Sequence, residues 1–277
     1  MTTYPLPRLV TFDGEARSGK GTVVQLTKDY LRDECGYKVM LIDAGQVFRV
    51  LVVAATRACV DMDSPDDIDA FLGDEAEAEK CVQLVKDVYH MSKEDRDTLL
   101  YTNVVGANSA KIGARPLSQD FKDNLLKKWL RDARLEGYEV VLLDGRALEE
   151  TGNMLAGEGL CEFILGLYFV CDPIIGARRT LGYADTPYEQ LGNDARVAVD
   201  DLVVQINERN HKDRERAVQP VVPPSGAPTY SAPDTPSDSS ANAIIIDTSP
   251  EASKQAMSLP VAKLVAYRLQ VQTLARV

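Results

Sequence analysis

Along most of the chain, short unbroken apolar runs alternate with stretches of helical period. Arg8–Asp13 (RLVTFD), Lys38–Asp43 (KVMLID), Glu139–Asp144 (EVVLLD), Phe163–Val170 (FILGLYFV) and Ala243–Asp247 (AIIID) read as strands. Apolar positions recurring at three and four residues predict helices up to about Cys35, over Ala44–Cys59, Ala76–Tyr89 and Ser118–Glu136, and over Val261–Thr273. Pro173–Thr180 reads as a helix start and Asp194–Ala217 as a long polar helix. Strands that are apolar throughout and separated by helices belong to parallel sheets covered on both faces. The pattern therefore predicts an α/β fold with strands near residues 10, 40, 141, 167 and 245. Gln219–Asn242 breaks the pattern: six prolines among Ser, Ala and Thr predict a flexible surface excursion.

The 277 residues, 45% apolar and 26% charged, suffice for one large domain or two small ones with a real core. No run approaches the length of a membrane span, and Met1–Arg8 lacks the basic flank and apolar run of a signal peptide, so a cytoplasmic protein is expected. The five cysteines show no CxxC spacing and are expected to be free thiols. His90 and His211 share no ligand spacing. The net charge of −11 is concentrated in Asp61–Glu79, which holds nine acids and no Lys or Arg. That balance argues against nucleic-acid binding, which works by neutralising phosphates, but leaves room for a local basic pocket that takes a small anion. A monomer with small-molecule partners is expected.

Such a pocket is written after the first strand. Gly14, Glu15, Ala16, Arg17, Ser18, Gly19, Lys20, Gly21 and Thr22 form GxxxxGK followed by a hydroxyl residue, between an apolar strand and a helix. Glycines let successive backbone N–H groups turn inward, the helix N-terminus adds its positive end, and the lysine reaches the β- and γ-phosphates. The hydroxyl comes at Thr22, one place later than in the commonest form of the motif, because Gly21 follows Lys20. Asp144, at the end of an apolar strand, has the form of a carboxylate that holds Mg²⁺, with Thr22 as the second candidate. These features make the sheet one of P-loop NTPase type and predict ATP and Mg²⁺ as cofactors.

Arg209, Lys212, Arg214 and Arg216 put four cations into eight residues of the long polar helix. Arg209, Lys212, Asp213 and Arg216 recur on one side of it, where planar guanidinium groups can clamp phosphate oxygens. Arg178 and Arg179 form a second basic pair, of which Arg178 is a candidate donor contact.

Taken together, VTFDGEARSGKGT, LIDAGQVFRVLVVAA, GANSA, DGR and INERNHKDRERAVQPVVP resemble the bacterial cytidylate kinases, and the resemblance covers most of the chain. The last segment is close to R-D-x-x-D-x-x-R-x-x-x-P-L, with Arg209, Asp213, Arg216, Pro220 and Val221 in place and Asn210 where the acid stands. The resemblance implies a P-loop kinase core over 1–60 and 106–277, with a lid at about 180–216 and an acceptor-binding insertion over 61–105. It also implies transfer of the ATP γ-phosphoryl group to CMP or dCMP. Carried over residue by residue, Arg49, Arg146, Arg209 and Arg216 would hold the acceptor phosphate, and Lys122 would stand for a further arginine. Asn108, in GANSA, would join the acceptor site, and Lys20, Arg146, Asp213 and Arg214 would lie at the transferring group.

The departures fall on base recognition. Ala44 stands where the family has Ser in D-S-G, and Ala147 where it has Asp in D-G-R-D. A methyl group cannot reject a wrong base by leaving a buried polar group unpaired. The insertion also reads helical and acidic, where the family's is largely β. Three readings follow: a CMP/dCMP kinase, a kinase for another small acceptor, and a nucleotide-binding regulatory module with impaired transfer.

Overall fold

A computed structural model describes residues 4–217 and 219–274. Met1–Thr3 of the N-terminal segment and Val218 of the last motif lie outside the described residues. The chain divides into two compact units, one of residues 1–42 and 130–277, the other Asp43–Trp129.

The first unit is built on a six-stranded sheet. Its strands are β1 (Arg8–Gly14), β2 (Val39–Asp43), β3 (Val140–Asp144), β4 (Glu162–Val170), β5 (Thr229–Ser231) and β6 (Ala243–Asp247), in the spatial order β2-β3-β1-β4-β6-β5. The paired strands run parallel, with Val10 beside Leu142 and Phe12 beside Leu167. Five of the strands lie where the apolar runs predict them. The sixth, β5, comes from the proline-rich segment. Composition predicts a flexible excursion there, yet Val221 and Ala232 are buried and Thr229–Ser231 pair with Ile245–Asp247. An edge strand needs its N–H groups on one side only, so three residues free of proline suffice.

Helices α1 (Lys20–Asp33) and α11 (Lys254–Leu274) pack together over the face made by Val10, Phe12, Leu165, Leu167 and Phe169. Helix α8 (Leu148–Gly157) packs against β1 and β4, close enough that a side chain at Gly152 would press on the Phe163 ring. Helices α9 (Pro173–Thr180) and α10 (Asn193–Arg214) form a smaller layer of their own around Ala177, Leu191, Val199 and Ile206. This is the α/β P-loop kinase architecture.

The second unit holds α2 (Ala44–Arg57), α3 (Pro65–Gly73), α4 (Glu75–His90), α5 (Lys93–Leu100), α6 (Asn103–Gly113) and the larger part of α7 (Pro116–Leu135). Val47, Val50, Leu51, Phe71, Leu84, Val88, Leu100 and Ile112 form its core. Ser64, Asp74, Ser92 and Thr102 each accept a hydrogen bond from the first turn of α3, α4, α5 and α6, which is why the segment divides into short helices. Of the nine acids in Asp61–Glu79, Asp66, Asp67, Glu75 and Glu77 sit in first turns, where the helix dipole favours them, Asp74 caps α4, and Asp63 and Asp69 pair with Lys111 and Arg115.

Gly14 ends β1 at φ +138°, and a side chain there would fall on the backbone of Phe169. Gly14→Ala is therefore expected to cost about 3 kcal/mol or more, read as a lowered urea midpoint; an unchanged midpoint would show that β1 and β4 can part at this end.

Candidate functional site

The loop Gly14–Gly19 leaves β1 and enters α1, and its shape is held from several sides. Glu15 N–H donates to Phe169 O at 2.9 Å, Ala16 N–H donates to Asn210 Oδ1 at 2.9 Å, and the Thr248 hydroxyl donates to Ser18 O at 2.7 Å. Gly19 takes the left-handed φ of +74° that turns the chain into α1. A Cβ added at Gly19 or Gly21 would meet nothing within 4 Å, so the space above the α1 N-terminus is open. Lys20 reaches across to an ion pair with Asp144 at the end of β3. Thr22 lies exposed on the first turn of α1.

Asp13 is the group on which this end of the sheet turns. Its carboxylate is 8% exposed and accepts from Gly14 N–H at 2.6 Å and from Leu148 N–H at 2.8 Å. Burial pushes its pKa up; the Leu148 hydrogen bond and the charges of Lys20 and Arg146 oppose the rise. Tyr168 pairs with Asp13 in the register of β1 and β4. Its hydroxyl is buried without a hydrogen-bond partner, and burial next to Asp13 and Glu15 pushes it up to about 12.

A second charged group lies within reach of Asp13. Asp213, near the end of α10, is buried and forms ion pairs with Arg146 and Arg216, with Arg209 Nε 3.9 Å from it. Three guanidinium groups thus surround one carboxylate. Burial and the neighbouring Arg209 and Arg216 lower the pKa of Arg146 to about 9, against the opposing charge of Asp13. Such a local excess of guanidinium groups, two of them partly buried, suits a dianionic phosphate. Arg214 pairs with Glu15 on the loop.

Other residues singled out from sequence fall elsewhere. Arg178 is buried, and its guanidinium is spent on Glu251 at 2.6 Å and on Ala184 O at 3.2 Å, which makes it a strut within the first unit. In the second unit, Arg49 stacks on the Tyr101 ring at 4.5 Å and donates to Leu100 O at 3.0 Å, while the Tyr101 hydroxyl donates to Asp43 at 3.2 Å. Asn108 is half-buried on α6. Lys122 is buried on α7 with Asp123 3.0 Å away, and Ala44 is buried at the start of α2.

Sequence reasoning missed Asp13, Tyr168, Asn210 and Tyr101. Asp13 ends an apolar run as Asp144 does, so the same signal could have found it. Tyr168 sits inside a strand-like run and emerges only from the strand register.

The loop is able to take a nucleoside triphosphate with Mg²⁺. The open space above α1, the ammonium of Lys20 and the oxygens of Asp144 and Thr22 are the parts required. Among the described residues no group of three or more His, Cys, Asp or Glu could hold a metal. A Mg²⁺ that takes one or two protein oxygens and completes its shell with phosphates and water needs no such group.

Fold and loop together have the architecture of P-loop kinases. The chain is similar over about four-fifths of its length to bacterial cytidylate kinases, as its motifs suggest. It is 28% identical over 229 residues to the cytidylate kinase of Shewanella piezotolerans, covering 79% of this chain and 85% of that protein. It is 27% identical over 226 residues to that of Aeromonas hydrophila and 26% over 232 to that of Pseudomonas putida, each match covering 79% of this chain and 84% and 86% of those proteins. No protein-family model matches the chain.

Ala147 stands before α8 at φ +56° and ψ +47° and makes no capping hydrogen bond. Asn tolerates that conformation and can cap the helix. Ala147→Asn is expected to stabilise the fold by about 1 kcal/mol, read as a raised unfolding midpoint; a lowered midpoint would mean that the site has no room for the amide.

Proposed function

We propose that the protein transfers the γ-phosphoryl group of ATP to a nucleoside monophosphate, with CMP and dCMP the first candidates. One observation carries the reading: Asp13 lies within electrostatic reach of both the loop lysine, Lys20, and the arginine cluster at Asp213. A donor site and an acceptor-phosphate site thus share one end of the first unit's sheet. The similarity to bacterial cytidylate kinases supports the choice of acceptor.

In this reading the loop from Gly14 to Thr22 binds the triphosphate, and Lys20 exchanges Asp144 for its β- and γ-oxygens. Bound Mg²⁺, held through Asp144 and Thr22, would supply charge neutralisation on the transferring group. Arg146, Arg209 and Arg216 hold the acceptor phosphate, and Arg49, Asn108 and Lys122 belong to the acceptor site by resemblance. No strong base is required, because the attacking phosphate oxygen is already anionic, so positioning and charge neutralisation suffice. Arg214, on the lid, closes towards the loop and excludes water. Small nucleotides as partners and the cytoplasm as compartment belong to the same reading.

Ala44 and Ala147 favour a second reading, a kinase for another small phosphate acceptor. They offer methyl groups where a cytosine edge would need hydrogen bonds. A coupled ADP-release assay over CMP, dCMP, UMP, AMP and non-nucleotide phosphates separates the two. CMP and dCMP are expected to rank first, and another compound in first place would establish the second reading. Nucleotide binding with no acceptor-dependent ADP would leave a binding module. Lys20→Ala is expected to reduce turnover by at least about 100-fold while unfolding stays cooperative; turnover like that of the wild type would overturn the role given to Lys20.

A further inference from the structure

The loop that would hold the triphosphate has three distant anchors, and they differ in kind. Phe169 O ends β4 and the Thr248 hydroxyl follows β6, so both belong to the sheet. Asn210 Oδ1, which accepts the Ala16 N–H at 2.9 Å, belongs to α10. It is 7% exposed, and Ala16 is 6% exposed, so water is a poor substitute on either side of this bond. One turn further along α10, Arg214 pairs with Glu15, the neighbouring loop residue. Positions 210 and 214 lie on the same side of a helix. The intervening Asp213 faces Arg146 and Arg216. A single helical turn therefore grips two consecutive residues of the loop and the centre of the arginine cluster at once.

We infer that Asn210 is a positioning residue that couples the donor loop to the acceptor-phosphate cluster, so that occupancy of one site changes affinity at the other. The inference rests on the proposed kinase reading and adds to it a residue that touches neither substrate. The amide oxygen suits this place on electrostatic grounds. It accepts from Ala16 as a carboxylate would, without a further negative charge beside Glu15 and Asp213. Neither sheet anchor can serve the same end, because β4 and β6 carry none of the cluster's arginines. Coupling through a shared rigid element is reciprocal, so the acceptor must tighten the donor as much as the donor tightens the acceptor.

The test measures Kd for a non-hydrolysable ATP analogue with and without the best acceptor of the panel, in the wild type, Asn210→Ala and Asn210→Asp. Hydrogen exchange at the Ala16 amide is followed in the same three proteins without ligand. In the wild type, acceptor is expected to tighten the analogue about 5- to 10-fold. Asn210→Ala is expected to bring that factor near one and to speed exchange at Ala16. Asn210→Asp, which retains an acceptor oxygen, is expected to restore both. A factor near one in the wild type, or a wild-type factor in Asn210→Ala, would overturn the coupling while acceptor-dependent turnover left the kinase reading standing. Unchanged exchange at Ala16 in Asn210→Ala would overturn it as well, whether or not nucleotide binds. A wild-type protein that bound no nucleotide would bring down both readings together.

Discussion

One buried carboxyl group governs the loop end of the sheet. Asp13 accepts the N–H that starts the loop after β1 and the N–H that starts α8. The first chain path leads to Lys20, and the second has just passed Arg146. Burial raises the pKa of Asp13, and the two N–H donors and two nearby cations oppose that rise. The two basic groups of the proposed centre are thus placed relative to each other by one side chain that need touch neither substrate.

The charge pattern around it is uneven by design of the fold. Lys20 forms an ion pair with Asp144 and also feels the charge of Asp13. Arg146, Arg209 and Arg216 share the one carboxylate of Asp213 and retain a surplus of positive charge. A phosphate dianion entering that cluster replaces lost hydration for several guanidinium groups together. The overall acidity of the chain does not oppose this, because the cluster itself brings three guanidinium groups around the Asp213 carboxylate.

Much of the fold was legible because β-strands buried on both faces leave long apolar runs and the loop motif leaves a fixed spacing. β5 was illegible for the opposite reason: three residues at an edge carry no periodicity, and proline-rich surroundings mask them. Within the site, residues whose chemistry is written in their type, such as Lys20, Asp144 and the arginines, could be proposed from spacing. Asn210 could be read only as a departure from a pattern, since its partner is a backbone N–H 194 positions away. Arg178 shows the converse. Its type and place suggest a phosphate, but a buried guanidinium held by Glu251 and a carbonyl braces the fold instead.

The neighbouring strands β2 and β3 are separated in the chain by the whole of the second unit. Their pairing closes a very long loop, and the entropy of that closure must be met before the sheet is complete. Five of the helices between them, α2 to α6, are capped at their N-termini by side chains, so local contacts favour them and shorten the effective span. Connectivity makes β2–β3 the pairing of this sheet that depends most on how far the intervening helices shorten the span. Sequence changes that weaken those caps would slow maturation of the sheet even where the finished molecule loses little stability.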